Sequence, residues 1–354
     1  MIQEKAEAAD LLLSSYDYEL PEALIAQHPL DRRDASRMMV LMGHEEPLHR
    51  HISDILDYLK PGDCLLLNDT RVIPARLYGQ SEGGGGKIEV LLLRRLHDDL
   101  WYCIGKPGSK MRPGHKIIFS PRLRAEVVSM EEDGGRILNF EYEGIWEELL
   151  DEMGNVPLPP YIHEKLDDPE RYQTVYAERR GSAAAPTAGL HFTEALLGQI
   201  QDKGIDIAKL TLHVGLGTFR PVKETNVLDH KMHQEHYEIS EECAEKINRA
   251  KRGGHRIICV GTTSCRSLET AADPDTGLVK PCIGETGIFI YPGFRFKAMD
   301  GLLTNFHLPQ STLLMLVSAF YGREAILRAY REAVREQYRF FSFGDCMLIL
   351  PEKA

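Results

Sequence analysis

Apolar and polar positions alternate with two different periods along the chain. The segment ISDILDYLKPGD, at residues 52–63, has apolar residues at helical spacing and stops at a Pro-Gly pair, which predicts a helix. The next segment, CLLLNDT at residues 64–70, is an apolar run that ends in polar residues, which predicts a buried strand. From about residue 160, helical and strand-like segments alternate, for example at residues 241–254 and 256–264. This alternation predicts an α/β fold.

From Arg71 onward the pattern changes to short apolar runs with partial period-2 alternation. Turn-forming segments rich in Gly and Pro separate these runs, such as residues 83–86 and 112–114. Short strands at this spacing are typical of a small antiparallel barrel or sandwich. We therefore predict a discontinuous α/β domain with an inserted small antiparallel β-barrel domain. The predicted boundaries are residues 1–70 and 155–354 for the α/β domain and 71–154 for the barrel.

Composition narrows the class of protein. A chain of 354 residues exceeds the usual size of one hydrophobic core, which favours two domains. Its 42 Lys and Arg against 53 Asp and Glu exclude a uniformly basic protein but permit a local basic patch. No apolar run reaches the roughly 20 residues of a membrane span, and the N-terminus lacks a signal-peptide pattern. The seven cysteines include no C-x-x-C pair, which is typical of reduced thiols. We expect a cytoplasmic protein whose first 15 residues form a loose leader.

Two familiar ligand-binding motifs are not present, because the spacing of the residues does not match them. The glycines before Lys87 are not followed by the Ser or Thr that a P-loop requires. His230, His233 and His236 do not share one helical face, and no H-E-x-x-H motif is present. We therefore predict no metal site. The histidine-rich segment is interpreted either as the polar lining of a nucleotide pocket or as a surface loop.

Two segments place small and hydroxyl residues where a loop enters a helix. In VGTTSCR, at residues 260–266, backbone N–H groups together with Thr262 and Thr263 can hold an anion or a nucleoside hydroxyl. Ligands of open α/β sheets bind at the carboxyl ends of strands, where this segment is predicted to lie. For this segment, helix capping is the alternative interpretation.

The second segment, residues 179–193, is rich in small residues and also contains Arg180, Thr187 and His191. For this segment, a mobile linker is the alternative interpretation.

Polar clusters beside apolar runs recur at residues 68–71, 285–286 and 304–307. Polar residues in such places are either satisfied groups of the core or groups of a pocket. Because several such clusters occur in one chain, we predict that they share a cleft.

A basic patch is predicted on the inserted domain. Residues 100–125 contain no Asp or Glu, although the chain as a whole has a net charge of −11. Phosphate contacts need cations that cluster on one face. The arginine stripe near the C-terminus is less suitable, because neighbouring glutamates neutralise it. The candidate nucleic-acid contacts are therefore Lys106, Lys110, Arg112, Lys116, Arg122 and Arg124.

Seven long segments resemble one known family. They are LNDTRVIPARL, GSAAAPTAGLHFT, TLHVGLGTFRPV, HKMHQEHYEIS, VGTTSCRSLE, ETGIFIYPG and TNFHLPQSTLLMLVSAFYG. They are similar to the S-adenosylmethionine:tRNA ribosyltransferase-isomerases of queuosine synthesis, the QueA family, and the similarity runs from about Tyr16 to Leu350. The resemblance implies a tRNA substrate with 7-aminomethyl-7-deazaguanine at the wobble position. It also implies S-adenosylmethionine as ribosyl donor and epoxyqueuosine-tRNA, adenine and methionine as products. No metal or redox cofactor is implied, and we expect a monomer.

Residue roles follow as hypotheses. The reaction needs a base and an acid with pKa values near neutrality, so His191 or His307 is expected to transfer protons. Asp69 and Glu285 are expected to stabilise positive charge at the ribosyl group or the amine. The residues expected to bind the nucleoside, the methionine carboxylate or nearby anionic groups are Thr70, Arg71, Arg180, Thr187, Thr262, Thr263, Arg266, Thr286 and Asn305.

Two other classes of function compete with this one. A metal-dependent hydrolase would use the histidine-rich segment at residues 230–236, and a non-catalytic RNA-binding protein would use the basic patch. The enzyme hypothesis requires residues near 69, 191, 262, 285 and 307 to share one nucleoside-sized cavity.

Overall fold

A computed structural model describes residues 7–43, 45–164, 166–215, 222 and 224–351. The strands in these ranges are β1 (Arg37–Met42), β2 (Leu48–His51), β3 (Cys64–Asn68), β4 (Thr70–Val72), β5 (Arg76–Ser81), β6 (Lys87–His97), β7 (Leu100–Lys106), β8 (Lys116–Ser120), β9 (Leu123–Met130), β10 (Arg136–Tyr142), β11 (Arg179–Ser182), β12 (Asp206–Leu212), β13 (Glu235–Ile239), β14 (Ile257–Val260), β15 (Cys282–Thr286), β16 (Gly301–Asn305) and β17 (Cys346–Leu350). The α-helices are α1 (Trp146–Met153), α2 (Glu194–Asp202), α3 (Glu241–Arg252), α4 (Gly261–Ala271), α5 (Thr312–Tyr321) and α6 (Arg323–Arg335).

The main sheet contains the strands at whose carboxyl ends the polar site residues are predicted to lie. Over the described residues its order is β15-β13-β12-β3-β14-β16-β17-β1-β2. Four neighbouring strands at its centre, β12, β3, β14 and β16, run parallel to one another. Every residue of β3, β14 and β16 is buried, as expected for parallel strands that are covered on both faces. The carboxyl ends of these strands therefore meet at one edge of the sheet.

The strands β5 to β10 close into a barrel in which neighbouring strands are antiparallel. Buried aliphatic side chains such as Leu77, Val90 and Val127 fill the interior. The helix α1 packs on the barrel through Trp146, whose ring centroid lies 5.5 Å from that of Trp101. The predicted α/β fold with an inserted antiparallel barrel is confirmed, while the domain boundaries stay a prediction.

The N-terminal segment differs from the expected loose leader. From residue 7 onward it forms two short 3₁₀ turns, Ala8–Leu11 and Leu13–Tyr16. The Asp10 carboxylate pairs with the Arg323 guanidinium at 2.6 Å, and Tyr16 is fully buried. The expectation was wrong for these residues because the segment has its own core contacts and a partner cation. Residues 1–6 of the predicted leader lie outside the described residues.

Two smaller observations complete the fold. The predicted helix at residues 52–63 is a 3₁₀ helix, Ile52–Tyr58, that ends before the Pro-Gly pair. Among the described residues, no helix combines the length and the apolar character that crossing a membrane requires.

Candidate active site

A cavity lies above the carboxyl ends of the parallel strands, and we call it the strand-end cavity. It holds about 690 Å³ of space, counted out to its open mouth. Its lining comes from the segments that follow β12, β14 and β16 and from three further loops. The lining residues are Tyr161, Ala185–Ala188, Val214, Gly261–Thr263, Thr304–Leu308, Ser311, Leu313, Phe341 and Ser342.

The first wall of this cavity is the sharp turn between β14 and α4. Gly261 has a φ of +84°, a conformation that favours glycine, and it turns the chain directly from the strand into the helix. The Asn68 side chain donates to Thr263 Oγ1 at 3.3 Å and to the Leu212 carbonyl at 3.0 Å. Its oxygen accepts from the Leu212 N–H at 3.0 Å. One buried asparagine thus fixes the ends of β3, β12 and β14 and orients a hydroxyl of the cavity wall.

The second wall is built around Asn305 at the end of β16. Its amide nitrogen donates to the Phe341 carbonyl at 2.8 Å, and Thr187 Oγ1 lies 3.5 Å away. The amide oxygen of Asn305 lies 2.9 Å from His191 Nε2, while His191 Nδ1 lies 2.8 Å from Ser36 Oγ. Both ring nitrogens of His191 are therefore engaged. This histidine lies behind Asn305, and burial lowers its pKa.

His307 lies on the wall of the strand-end cavity. Its Nε2 is 2.9 Å from Thr304 Oγ1, and its backbone N–H donates to the Tyr330 hydroxyl at 3.0 Å. The Tyr18 hydroxyl donates to its carbonyl at 2.5 Å. Burial lowers the pKa of His307 to about 3, so the ring is neutral at physiological pH. The pKa near neutrality that the sequence predicts for this residue is not observed, because the ring is buried.

A second and larger cavity separates the barrel from the β13–β15 edge of the sheet, and we call it the barrel cleft. It holds about 2670 Å³ of space, including its open side. The barrel side contributes Arg94, Arg95, Trp101, Tyr102 and Ile104. The opposite side contributes Arg180, Gly181, His213, Gly215, residues 232–236 and Glu285. The lining is completed by Ile73, Leu93, Leu96, residues 131–133, Ile137, Trp146, Glu147 and Leu150.

Exposed ion pairs link the two sides of the barrel cleft. Arg94 of β6 pairs with Glu285 of β15. Arg180 of β11 donates two hydrogen bonds to Asp151 of α1, at 2.6 and 3.2 Å. Glu285 and Arg180, both predicted site residues, therefore lie in the cleft and are neutralised by partners across it.

The two cavities adjoin at the end of β12. Val214 lines the strand-end cavity, whereas its neighbours His213 and Gly215 line the barrel cleft. His213 Nδ1 lies 2.8 Å from Thr70 Oγ1, so Thr70 borders this junction. Burial, and to a smaller extent the nearby His236, lowers the pKa of His213 to about 4. His213 is not among the site residues predicted from the sequence, although its position directly after an apolar strand was a usable signal.

Six predicted site residues lie outside the described linings of both cavities. Besides His191 and Thr70, they are Asp69, Arg71, Thr286 and Arg266, and each of these four has a protein partner. Asp69 accepts from Thr211 Oγ1 at 2.7 Å, and burial raises its pKa. Arg71 pairs with Glu170 at 2.5 Å. The hydroxyl of Thr286 lies 2.6 Å from that of Thr270. Arg266 is buried beneath the cleft and pairs with Glu235, whose carboxylate also accepts from the Gly215 N–H at 3.1 Å. The polar groups of these residues are therefore engaged by the protein, and Arg266 supports Glu235 of the cleft lining from behind.

The predicted basic patch lies on the outer surface of the barrel, outside the cleft. Strand register places Glu89 beside Lys106, Glu126 beside Lys116 and Glu141 beside Arg124. Arg122 pairs with Glu152, Lys110 donates to the Gly85 carbonyl, and Arg112 is exposed. The stretch is free of acids along the chain, but the neighbouring strands bring acids to it. The cations that line the cleft are Arg94, Arg95 and Arg180.

The histidine-rich segment shows no metal ligand set. Within the described ranges, no three His, Cys, Asp or Glu side chains are grouped so that they could hold a metal ion. His230 instead lies 3.2 Å from Glu224, and its ring packs against Phe289. His233 and His236 line the barrel cleft, in agreement with the pocket-lining interpretation. Residues 216–221 of the motif TLHVGLGTFRPV lie outside the described residues.

Comparisons with known proteins agree with this architecture. The model of the family described as "Queuosine biosynthesis protein" matches residues 13–349. A relative from Acetivibrio thermocellus is 59% identical over 95% of this chain and 99% of its own length, and one from Clostridioides difficile is 58% identical over 94% and 98%. Both are named S-adenosylmethionine:tRNA ribosyltransferase-isomerase. The solved structure of an S-adenosylmethionine tRNA ribosyltransferase from Thermotoga maritima is 41% identical, with a TM-score of 0.55, over 95% of this chain and all of that one. This chain therefore belongs to the queuosine biosynthesis protein family.

Proposed function

We propose that this chain catalyses the reaction for which its relatives are named. It transfers and isomerises the ribosyl moiety of S-adenosylmethionine onto the 7-aminomethyl-7-deazaguanine base at the tRNA wobble position. The products are epoxyqueuosine-tRNA, adenine and methionine. The observation that carries the proposal is the meeting of the segments at the carboxyl ends of β12, β14 and β16 in one cavity, directly beside a much larger cleft. Two reactants of very different size need such a pair of cavities.

The strand-end cavity is assigned to S-adenosylmethionine. It lies at the carboxyl ends of parallel strands, where ligands of open α/β sheets bind. The rings of Tyr161 and Phe341 offer apolar surface to a purine, while Thr262, Thr263 and Asn305 offer polar groups to a ribose or a carboxylate. A mostly apolar lining with a few anchored polar groups is typical of small-molecule and cofactor sites.

The barrel cleft is assigned to the wobble nucleotide and its neighbours. Arg94, Arg95 and Arg180 line it and can contact phosphates. Glu285 lies on the opposite side and can hold the aminomethyl group, which is a cation before it reacts. Binding of the tRNA replaces the ion pairs Arg94–Glu285 and Arg180–Asp151. The two arginines then contact phosphates and Glu285 contacts the aminomethyl group, while the exposed Asp151 carboxylate is solvated by water.

The chemistry sets demands that the site can meet. The sulfonium group acidifies the C5′ protons, so a base removes one of them and the electron pair of the C–H bond stays on C5′. The amine attacks in its neutral form, and adenine leaves more readily when a proton is delivered to its ring. Methionine departs with the electron pair of the C5′–S bond. Neutral histidines close to both cavities suit the proton transfers.

Both cavities are formed by a single chain, so we propose that the protein acts as a monomer. Because its substrate is tRNA, we propose that it acts in the cytoplasm. S-adenosylmethionine is consumed as a co-substrate, and the proposed reaction requires no metal.

The test is incubation of the full chain with S-adenosylmethionine and precursor tRNA. We expect one adenine and one methionine released per modified tRNA, and epoxyqueuosine in the digested tRNA by mass spectrometry. The absence of adenine release under these conditions would contradict the proposal. Thr262→Val is expected to raise KM for S-adenosylmethionine at least tenfold through the loss of a hydroxyl in the cavity wall. A chelator should leave the rate unchanged, whereas inhibition that a metal reverses would favour the metal-dependent alternative.

A further inference from the structure

We infer that His213 is the group that removes the C5′ proton of S-adenosylmethionine, and that Gly181 keeps its ring accessible to the substrates. This inference rests on the proposed function, since it names the proton acceptor for that reaction. Neither residue is among those that the sequence analysis selected for catalysis.

Position is the first argument. The reacting carbon must face both the adenosyl group in the strand-end cavity and the amine in the barrel cleft. His213 lies one residue beyond β12, next to Val214 of the strand-end cavity, and itself lines the cleft. Its side chain is therefore beside the place where the two proposed substrates meet.

The ring is also held in a defined orientation. Its Nδ1 lies 2.8 Å from Thr70 Oγ1, and the backbone N–H of His213 donates to the His236 carbonyl at 3.0 Å. The His236 ring is roughly parallel to it, with the centroids 6.2 Å apart. When Thr70 accepts the Nδ1 proton, Nε2 carries the lone pair that can receive a proton. Thr70 is thus a positioning residue.

Gly181 leaves space at that nitrogen. A Cβ at this position would lie 2.7 Å from His213 Nε2 and 2.8 Å from Cε1. The strand register shifts between Arg180 and Ser182, so Gly181 forms an irregularity in β11 and also lines the cleft. A glycine in an irregular strand often marks the close approach of a ligand or another part of the chain. Any larger residue would cover or displace the Nε2 edge.

The two buried histidines near the cavities, His191 and His307, are less suitable. Both nitrogens of His191 have partners, and Asn305 separates this ring from the strand-end cavity. His307 lines that cavity but not the cleft in the described part of the chain. His213 borders both, and because burial lowers its pKa to about 4, its ring is neutral at physiological pH and Nε2 is not already protonated in the tautomer set by Thr70.

The step balances without a further reactant. The C5′–H bond breaks, its electron pair stays on the carbon beside the sulfonium, and the proton forms a new N–H bond at His213 Nε2. The imidazolium then gives this proton to the departing adenine and returns to its neutral form. One histidine thus serves first as base and then as acid.

The experiment measures single-turnover adenine release and S-adenosylmethionine binding for His213→Gln. Glutamine keeps a hydrogen-bonding group but cannot take up a proton, and positioned proton transfer contributes about 10²–10⁴-fold to rates. We expect adenine release to slow at least 100-fold, while the Kd for S-adenosylmethionine stays within threefold. His255→Gln is the matched control, because His255 is exposed near the amino ends of β3 and β14, far from the strand ends. Imidazole added to His213→Ala should restore part of the rate, which a purely structural role would not produce.

Gly181→Ala provides a second variant that leaves His213 in place. We expect at least a tenfold slower release, whereas Gly198→Ala, whose added methyl meets no atom within 4 Å, should keep the wild-type rate. A loss below tenfold in His213→Gln, or an equal loss of S-adenosylmethionine binding, would overturn the inference. If the wild-type chain itself releases no adenine, the proposed function fails instead, so the two failures are distinguishable.

Discussion

The strand-end cavity and the barrel cleft are held together by different kinds of interaction. Polar groups of the strand-end cavity are tied to the backbone of buried segments, as Asn305 is to Phe341 and Asn68 is to Leu212. The walls of the barrel cleft belong to separate parts of the fold, and half-exposed ion pairs join them. A surface ion pair contributes only about 0–1 kcal/mol, whereas breaking a buried hydrogen bond costs about 1–3 kcal/mol. The small cavity is therefore preorganised, while the walls of the cleft can separate at little cost.

The largest effect on stability is expected for the buried ion pair between Arg266 and Glu235, which lies beneath the cleft. Arg266→Met removes the guanidinium that pairs with Glu235 beneath the cleft. Loss of one partner of a buried ion pair typically costs about 3–5 kcal/mol, so we expect the free energy of unfolding to fall by about that much. Chemical denaturation measures it. The double variant Arg266→Met/Glu235→Gln should recover part of the loss, and a loss below about 1 kcal/mol in the single variant would show that the support is dispensable.

A smaller effect on stability and a specific effect on binding are expected at Asn305. Asn305→Leu leaves His191 Nε2 and the Phe341 carbonyl without their present partner, which costs about 1–3 kcal/mol. The affinity for S-adenosylmethionine should also fall at least tenfold, because the wall of the strand-end cavity changes. Asn248→Leu is the control, since Asn248 also makes two backbone hydrogen bonds, both to Val279, but on α3. Asn248→Leu should lower the free energy of unfolding without lowering the affinity for S-adenosylmethionine. If both variants lost affinity equally, the effect of Asn305→Leu would not be specific to the cavity wall.

The pH dependence of stability tests the burial of the histidines at the two cavities. His307 and His213 have folded-state pKa values of about 3 and 4, below the unfolded value of about 6.5. Above pH 6.5 neither state binds these protons, whereas below it the unfolded chain binds protons that the folded chain does not. Stability should therefore fall as the pH drops from 6.5 toward 4, by about 1.4 kcal/mol per pH unit for each histidine. His307→Gln should make this decline less steep in urea titrations at pH 6.5, 5.5 and 4.5, and an unchanged slope would contradict the burial argument.

Much of the fold and part of the site could be predicted from local sequence pattern. The apolar runs of β3, β14 and β16 and the polar residues directly after them led to Thr262, Thr263, Asn305 and His307, all of which line the strand-end cavity. This works because side chains at the carboxyl ends of parallel strands are brought together by the sheet itself.

The rest could not be predicted because it depends on which strands become neighbours. Antiparallel register brings Glu126 beside Lys116 and Glu141 beside Arg124, so the acid-free stretch does not make an acid-free surface. The partner of Arg266 is Glu235, 31 positions earlier in the chain, and no local pattern connects them. His213 became a candidate only when Thr70 and Gly181 were found around its ring. Long-range pairing carries this information, and a single sequence does not display it.

The smallest effect on stability is expected for two arginine variants that test which surface binds the tRNA, the barrel cleft or the outer face of the barrel. Arg94 and Arg122 are both half-exposed arginines paired with a glutamate, Glu285 for the first and Glu152 for the second. Replacing either by alanine should change the free energy of unfolding by less than about 1 kcal/mol. If the cleft binds the anticodon loop, Arg94→Ala should raise KM for tRNA several-fold and reduce the salt dependence of binding by about one phosphate contact, because one counterion fewer is released. Arg122→Ala should leave both quantities nearly unchanged. Filter binding between 50 and 200 mM salt distinguishes the two surfaces, since the reverse result would assign the tRNA to the outer face and leave the cleft to the nucleotide alone.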